Sequence, residues 1–348
     1  MAVCAMGQRK GEGVLTIRER TERMEERLLS PEACLSKNSK GRQRPEAPCE
    51  VRTAFQRDRD RILHSKAFRR LKHKTQVFLL PEGDHYRTRL THTLEVSQIS
   101  RTIARGLRLN EDLTEAICMG HDVGHAPFAH AGEEVLNSIH PGGFRHAKQS
   151  VRVLQQLENG VGLNLTEEVI DGILHHNGKG EAVTLEGQIV KVADRMAYLN
   201  HDVEDAVRAG VLHLEELPRE CIRVLGKTKG ERIHNMVLDM IVSSEGKPRI
   251  EQGAEVYQAM QELRQFMFRY VYLNPIAKKE EGKAKEIVAF VYRFFVEHPE
   301  KLKDFGVLWH PGSESSLPEV VKDYVAGMTD RFIVSLYKDL TIPQPWKN

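Results

Sequence analysis

Long apolar runs are missing from this 348-residue chain. No stretch approaches the roughly 20 residues that a membrane helix needs, which excludes a spanning segment of that kind. The first residues, MAVCAMGQRKGEG, hold no apolar core long enough for a signal peptide. The five cysteines, Cys4, Cys34, Cys49, Cys118 and Cys221, are scattered, odd in number and without a CxxC pair. That argues against a disulfide framework or a zinc–thiolate site and suits a reducing compartment, so a cytoplasmic protein is expected. Aromatic residues make up only 6%, so the core must be mostly aliphatic. The formal net charge is only +2, so bulk charge gives no support for a nucleic-acid partner, although local basic clusters can still meet a small polyanion.

Alternating β patterns are equally scarce, and the spacing of apolar residues predicts an all-α chain. A mostly extended arm with one charged helical piece, Ile17 to Leu29, is expected over 1–55. A helical core follows over 56–210, and a helical extension packed on it over 211–348. Within the core, Ile62, Leu63, Ala67, Phe68 and Leu71 recur at helical spacing, and PEGD at 81–84 signals a turn. A helix from Arg89 to Leu107 presents Leu90, Leu94, Ile99, Ile103 and Leu107 as its apolar stripe. Asn110 starts another that runs to about His121, and Gly124 with Ala126-Pro127 stops it. Further helices are predicted at 147–158, 166–176, 185–209, 214–225, 230–243, 250–273, 281–297 and 318–338. The charge run KKEEGKAKE (278–286) is read as a solvated helix face.

What the chain does have is histidine, sixteen in all, and HDVGHAPFAHAGEE (121–134) concentrates three of them with three acids. His121 to His125 imitates the HExxH metalloprotease pattern, but that site needs both histidines on an unbroken helical turn with a glutamate between them. Here the helix should fail at the second histidine, and the acid is Asp122. GKTKG (226–230) imitates a phosphate loop, yet Cys221 stands where that loop requires glycine. Groups separated in sequence make a better site. His92, the pair His121-Asp122, and Asp194 each lie on or at the end of a predicted helix. Two imidazoles and two carboxylates suit a divalent ion, with positions left open for water and substrate. Two carboxylates cancel the ion's charge, so nearby cations would be needed to hold a polyanion. Arg87, Arg89 and Arg195 flank the proposed ligands, and Arg61, Arg69, Arg70, Lys72 and Lys74 lie upstream.

The pattern H…HD…D, set in RTAFQRDRDRILHSKAFRRLKHKTQVF (52–78), YRTRLTHTLEVSQISRTIARGL (86–107), HDVGHAPFAHAGEEVLN (121–137), FRHAKQS (144–150) and ADRMAYLNHDVEDA (193–206), resembles the HD-domain phosphohydrolases. The closer likeness is to their deoxyguanosine triphosphate triphosphohydrolase (dGTPase)-like group. It covers most of 52–206, and no motif transfers to 211–348. The resemblance implies an all-α HD fold and one divalent metal ion (Mn²⁺, Mg²⁺, Fe²⁺, Co²⁺, Ni²⁺ or Zn²⁺) on His92, His121, Asp122 and Asp194. It implies hydrolysis of a dNTP at the α-phosphate, releasing deoxynucleoside and inorganic triphosphate. His130 and Glu133 fall on the family's catalytic histidine and acid, three residues apart and adjacent on a helical turn so that Glu133 could orient and polarise His130, and His146 falls on a further active-site histidine. His125, Arg89 and Arg195 match phosphate contacts. Tyr198 and Asp202 look like the pair that reads the sugar 3′-hydroxyl, with Gln76 beside them. His175-His176 is assigned a structural or supporting role. The likeness also implies a homo-oligomer, with nucleotide-regulated assembly as one form of it.

Two other readings stand beside a dNTP triphosphohydrolase. One is an HD-type phosphohydrolase of nucleoside monophosphates, cyclic nucleotides or guanosine tetraphosphate. The other is a nucleotide-sensing or nucleic-acid-binding protein with little turnover. The intact ligand set favours an enzyme.

Overall fold

The computed structural model describes residues 15–76, 87–273 and 280–343, and among these there is no β-strand. Two isolated bridges, Arg42 with Thr166 and Thr75 with Thr88, are the only extended pairings among them. The PEGD turn lies outside the described residues. Helix α1 (Ile17–Leu28) opens with a capping box in which Thr16 and Glu19 satisfy each other's backbone amides. The arm that follows is held down by buried acids. Arg42 pairs with Asp58 and donates to the Asn164 and Ala54 carbonyls, while Asp58 also accepts the Thr166 amide and hydroxyl.

Helices α2 (Ala54–Leu63) and α3 (Lys66–Arg70) replace the single run expected there. Ser65 breaks them by capping α3 with its hydroxyl, and Leu63 is left exposed. Helices α4 (Arg89–Gly106) and α5 (Glu111–Gly120) then pack together, α5 capped by Asn110 as its sequence signals. The buried stripe of α4 is His92, Val96, Ile99 and Ile103, and Leu94 faces solvent. Helix α6 (Ala129–Ile139) follows Pro127 after two left-handed residues, Phe128 (φ 61) and Ala129 (φ 53), a start that no sequence signal marks.

Helices α7 (His146–Arg152) and α8 (Glu167–His175) lead into α9 (Leu185–Arg208), whose 24 residues make it about 36 Å long. It is the spine of the molecule. The first core gathers α2, α4, α5, α8 and α9 with α10 (Arg219–Leu225), α11 (Lys229–Ser244) and α12 (Ala254–Met267) around Phe55, Ile62, Ile99, Ile117, Ile189 and Leu263. The second core holds Phe128, Leu136 and Phe144 against Val288, Phe295 and Val325. Those last come from α13 (Glu281–Glu297) and α14 (Leu317–Ala326), and α15 (Asp330–Thr341) adds Ile333. The helix expected over 318–338 is therefore two, because the chain turns at Gly327 and Thr329 caps a new start. No described helix is long and apolar enough to cross a membrane. In the charge run, Lys278 and Lys279 lie outside the described residues, and Lys283 and Lys285 pair with Glu280 and Glu281.

Candidate active site

The first turn of α4, the C-terminus of α5 and the middle of α9 converge. Each brings one of the expected ligand groups. His92 Nε2 lies 3.0 Å from Asp194 Oδ1 and 3.7 Å from Asp122 Oδ2. His121 Nε2 lies 3.5 Å from Asp122 Oδ2 and 4.0 Å from Asp194 Oδ1. The tautomer of His121 is fixed by its Nδ1–H, which donates to the Cys118 carbonyl at 2.7 Å. Nε2, on the other side of the ring, is a fully buried atom with no hydrogen-bond partner. An orphaned buried imidazole nitrogen facing two carboxylates fits a metal ion, since nothing in the protein otherwise satisfies it. His92, His121 and Asp194 together could hold one. Asp122, His125 and His146 form a second cluster of the same kind, but Arg89 Nη1 donates to Asp122 at 2.7 Å and places a fixed positive charge there.

Electrostatics follow from burial and neighbours. Burial opposes the charges of Asp122 and Asp194, yet His121 and Arg89 around the first, and His92 around the second, hold both carboxyls well below the usual range. Burial likewise opposes a charge on His92, but Asp194 and Asp122 more than offset it and raise its pKa. Burial and the Arg89 charge push His125 well below its ordinary value, so it stands neutral.

The loop after α5 is no helical turn, which disposes of the metalloprotease pattern. Gly124 is there for close approach. A Cβ on it would lie 2.1 Å from the Ser150 amide nitrogen and 2.5 Å from the Gln149 carbonyl carbon. The Ser150 hydroxyl accepts from the Gly124 amide and donates to the His121 carbonyl, tying the loop to α7. His125 stacks on His146, ring centroids 3.9 Å apart.

Glu133 takes a different partner from the one its spacing suggests. Its carboxylate accepts His146 Nδ1–H at 2.8 Å and the His146 amide at 2.9 Å. His130 is 3.9 Å away, with its side chain 86% exposed. On the far side of His146, Nε2 accepts from Asn177 Nδ2 at 2.6 Å and lies 3.2 Å from His176 Nε2. His176 is buried against His121 as well, whereas His175 pairs with Asp171 away from the site.

Of the upstream cations, Arg61 is spent on Leu163, Asn164 and Glu46, and Arg87 on Glu95, Glu204 and Asp205. Arg195 has no ion-pair partner among the described residues. Gln76 is buried, its Oε1 unpartnered. Asp202 accepts from Tyr272 Oη at 2.5 Å and lies 2.8 Å from His201 Nδ1, while His201 Nε2 meets His92 Nδ1 at 2.9 Å. Tyr198 packs nearby, half-buried. His201, Tyr272, His176 and Asn177 are the functional neighbours that sequence reasoning missed or left in general terms. His176, in the pair His175-His176, and His201, directly before Asp202 in the HD-like string YLNHD, carried local signals, whereas Tyr272 and Asn177 carried none.

An all-helical fold that joins two histidines and two aspartates in the order H…HD…D defines an HD-type site. Residues 89–199 match the HD domain, and residues 250–339 match the Phosphohydrolase-associated domain. The chain is 55% identical over 334 residues to the deoxyguanosinetriphosphate triphosphohydrolase-like protein of Caldanaerobacter subterraneus subsp. tengcongensis, covering 95% of this chain and 98% of that one. It is 48% identical to the protein of the same description from Desulfatibacillum aliphaticivorans, with 95% and 99% covered, and 45% identical to that from Clostridium tetani, with 95% and 97% covered. The chain belongs to the deoxyguanosinetriphosphate triphosphohydrolase-like family of HD-domain hydrolases.

Proposed function

We propose that the protein hydrolyses deoxynucleoside triphosphates to deoxynucleoside and inorganic triphosphate. The observation that carries this reading is the line of groups along α9. Asp194 stands among the metal-ligand candidates and Arg195 is unpaired beside it. Tyr198 and Asp202 follow one and two turns on, about 12 Å along the axis. A metal-holding end, a phosphate-pairing cation and a sugar-reading hydroxyl and carboxylate succeed one another over the length of a nucleotide.

His92, His121, Asp122 and Asp194 would hold a divalent ion, a mixed N/O set that suits Mn²⁺, Fe²⁺, Co²⁺, Ni²⁺ or Zn²⁺. When bound, the ion supplies positive charge that draws the phosphate oxygens and polarises the bond to be broken. Arg89 and Arg195 add planar guanidinium donors, and neutral His125 offers a ring nitrogen to a phosphate oxygen without adding charge. Tyr198 and Asp202 bind the sugar 3′-hydroxyl, with Gln76 alongside. The oxygen of water attacks the α-phosphorus, the bond from phosphorus to O5′ breaks, and the new oxygen leaves with the triphosphate. One proton must leave the water and one must reach O5′. His130 and the Glu133-linked His146 are the titratable groups assigned to these two transfers. His130 stands at the solvent edge, while His146 is buried and oriented from behind by Glu133.

An anion-exchange product assay tests the reading. Purified protein with Mn²⁺ is given each dNTP alone and then all four, beside Asp122→Ala. Tripolyphosphate and deoxynucleoside appearing only with Asp122 intact are the expected products. Orthophosphate or pyrophosphate instead would move the substrate to another nucleotide class.

A further inference from the structure

Behind the catalytic loop lies a group of polar residues that the proposed chemistry does not use. Lys74 is fully buried, and its Nζ donates to two backbone carbonyls, those of His125 and of Ala326, the latter at 2.8 Å. Its own carbonyl accepts the amide of Arg89 at 3.0 Å. The next residue, Thr75, directs both its amide (2.9 Å) and its hydroxyl (2.6 Å) to Oδ2 of Asp330. The other oxygen, Oδ1, accepts the Phe128 amide at 3.0 Å. Asp330 is 1% exposed and is the first residue of α15, within the segment that matches the Phosphohydrolase-associated domain.

The two segments bridged by this carboxylate lead to different groups of residues in the proposed site. Thr75 adjoins Gln76 and pairs across to Thr88, directly before Arg89. Phe128 stands two residues before His130 and five before Glu133. Phe128 and Ala129 are both left-handed without being glycine, so this start of α6 persists only where surrounding bonds enforce it. Three donors and no acceptor face Asp330, a demand met by a carboxylate and not by an amide, whose NH₂ would oppose either Thr75 or Phe128.

We propose that Asp330 is a positioning residue of the active site. By bridging Thr75 and Phe128 it fixes the distance between the Gln76–Arg89 side and the His125–His130–Glu133 side, so the C-terminal helices complete the pocket rather than merely cover it. Lys74 does the same for the His125 carbonyl from the end of α14. This role rests on the proposed hydrolysis for its kinetic consequence, but not for its geometric one.

The test compares wild type, Asp330→Asn, Asp330→Ala and the milder Thr75→Val in the full chain. Three quantities are measured: kcat and KM for dNTP with Mn²⁺, Mn²⁺ affinity by calorimetry, and amide exchange of the peptide spanning 125–131. Misplacement by about an ångström lowers turnover on the order of 100-fold, so Asp330→Asn is expected to lose roughly that in kcat, with KM and Mn²⁺ affinity changed less than about threefold. Exchange across 125–131 should rise at least about tenfold, and Thr75→Val should fall between. If Asp330→Asn keeps kcat within about twofold of wild type, or if kcat and Mn²⁺ affinity fall together with melting temperature, the positioning role is wrong. If wild type turns over no dNTP, the functional reading fails by itself. Exchange then decides the bridge: protection at 125–131 lost on Asp330→Asn with folding intact supports it, and unchanged protection overturns it.

Discussion

Nδ1 of His92 and Nε2 of His201 lie 2.9 Å apart, so the imidazole that turns its other nitrogen to the two aspartates is held from behind by a second, fully buried imidazole. His201 Nδ1 also lies 2.8 Å from Oδ1 of Asp202, the next residue of α9, without a hydrogen bond between them. Partners that orient a ligand histidine typically carry 10–100-fold in metal affinity. His201→Leu is expected to weaken Mn²⁺ binding by about that factor while the helical content is kept, as titration calorimetry with circular dichroism will check.

The same ring sets the pH response of metal binding. A proton on His92 competes with the ion, and its neighbours Asp194 and Asp122 outweigh the effect of burial and raise its pKa above the ordinary 6.5. The loss of Mn²⁺ affinity on acidification therefore begins above pH 6.5 and deepens as pH falls. Calorimetric titrations from pH 8 down to 5.5 should show it. Affinity flat across that range would contradict the assignment of His92.

Glu133 and His146 should behave as a unit. Glu133→Gln removes the charge that orients His146 and is expected to lower kcat on the order of 100-fold with Mn²⁺ affinity nearly unchanged. Steady-state kinetics beside calorimetry separates this from damage to the metal site.

His176 predicts an acid limb in stability. Burial first, then the nearby His121 and His146, push its pKa down to about 3. The unfolded chain binds a proton there at about pH 6.5, and the folded chain resists it. Its contribution is fully present above pH 6.5 and is lost as pH falls from 6.5 toward 3. Urea melts of metal-free protein at pH 7.5 and 5 should show the drop, and His176→Asn should flatten it.

Tyr272→Phe removes the hydroxyl that donates to Asp202 and leaves that buried carboxylate short of a partner. A charge-assisted bond of this kind contributes about 1.5–3 kcal/mol, so KM for dNTP should rise roughly tenfold or more with a smaller change in kcat. A variant with unchanged KM would separate Tyr272 and Asp202 from substrate recognition.

The ligand order H…HD…D was legible because chemistry fixes residue type, and caps such as Asn110 placed the helices that bear it. The all-helical class and the long α9 followed from periodicity. Other features depend on distance in space. His92 meets His201 across 109 positions and Asp202 meets Tyr272 across 70, and no spacing rule reaches that far. Pro127 marked the end of one element and concealed the left-handed start of the next. The spacing of His130 and Glu133 suggested a pair along one helical turn, but α6 starts so that Glu133 faces α7 and His130 faces water. The break at Gly327 was invisible because the apolar pattern runs through it.

Helix α6 gives its apolar face to the core built by α13, α14 and α15, while α4, α5 and α9 belong to the other core. The seam between the two thus runs through the proposed substrate pocket. Whatever occupies that pocket touches both halves at once and acts as mortar between them. Binding free energy and the cohesion of the two halves then become one quantity, so a nucleotide should raise the melting temperature of the whole molecule rather than of the metal-bearing half alone.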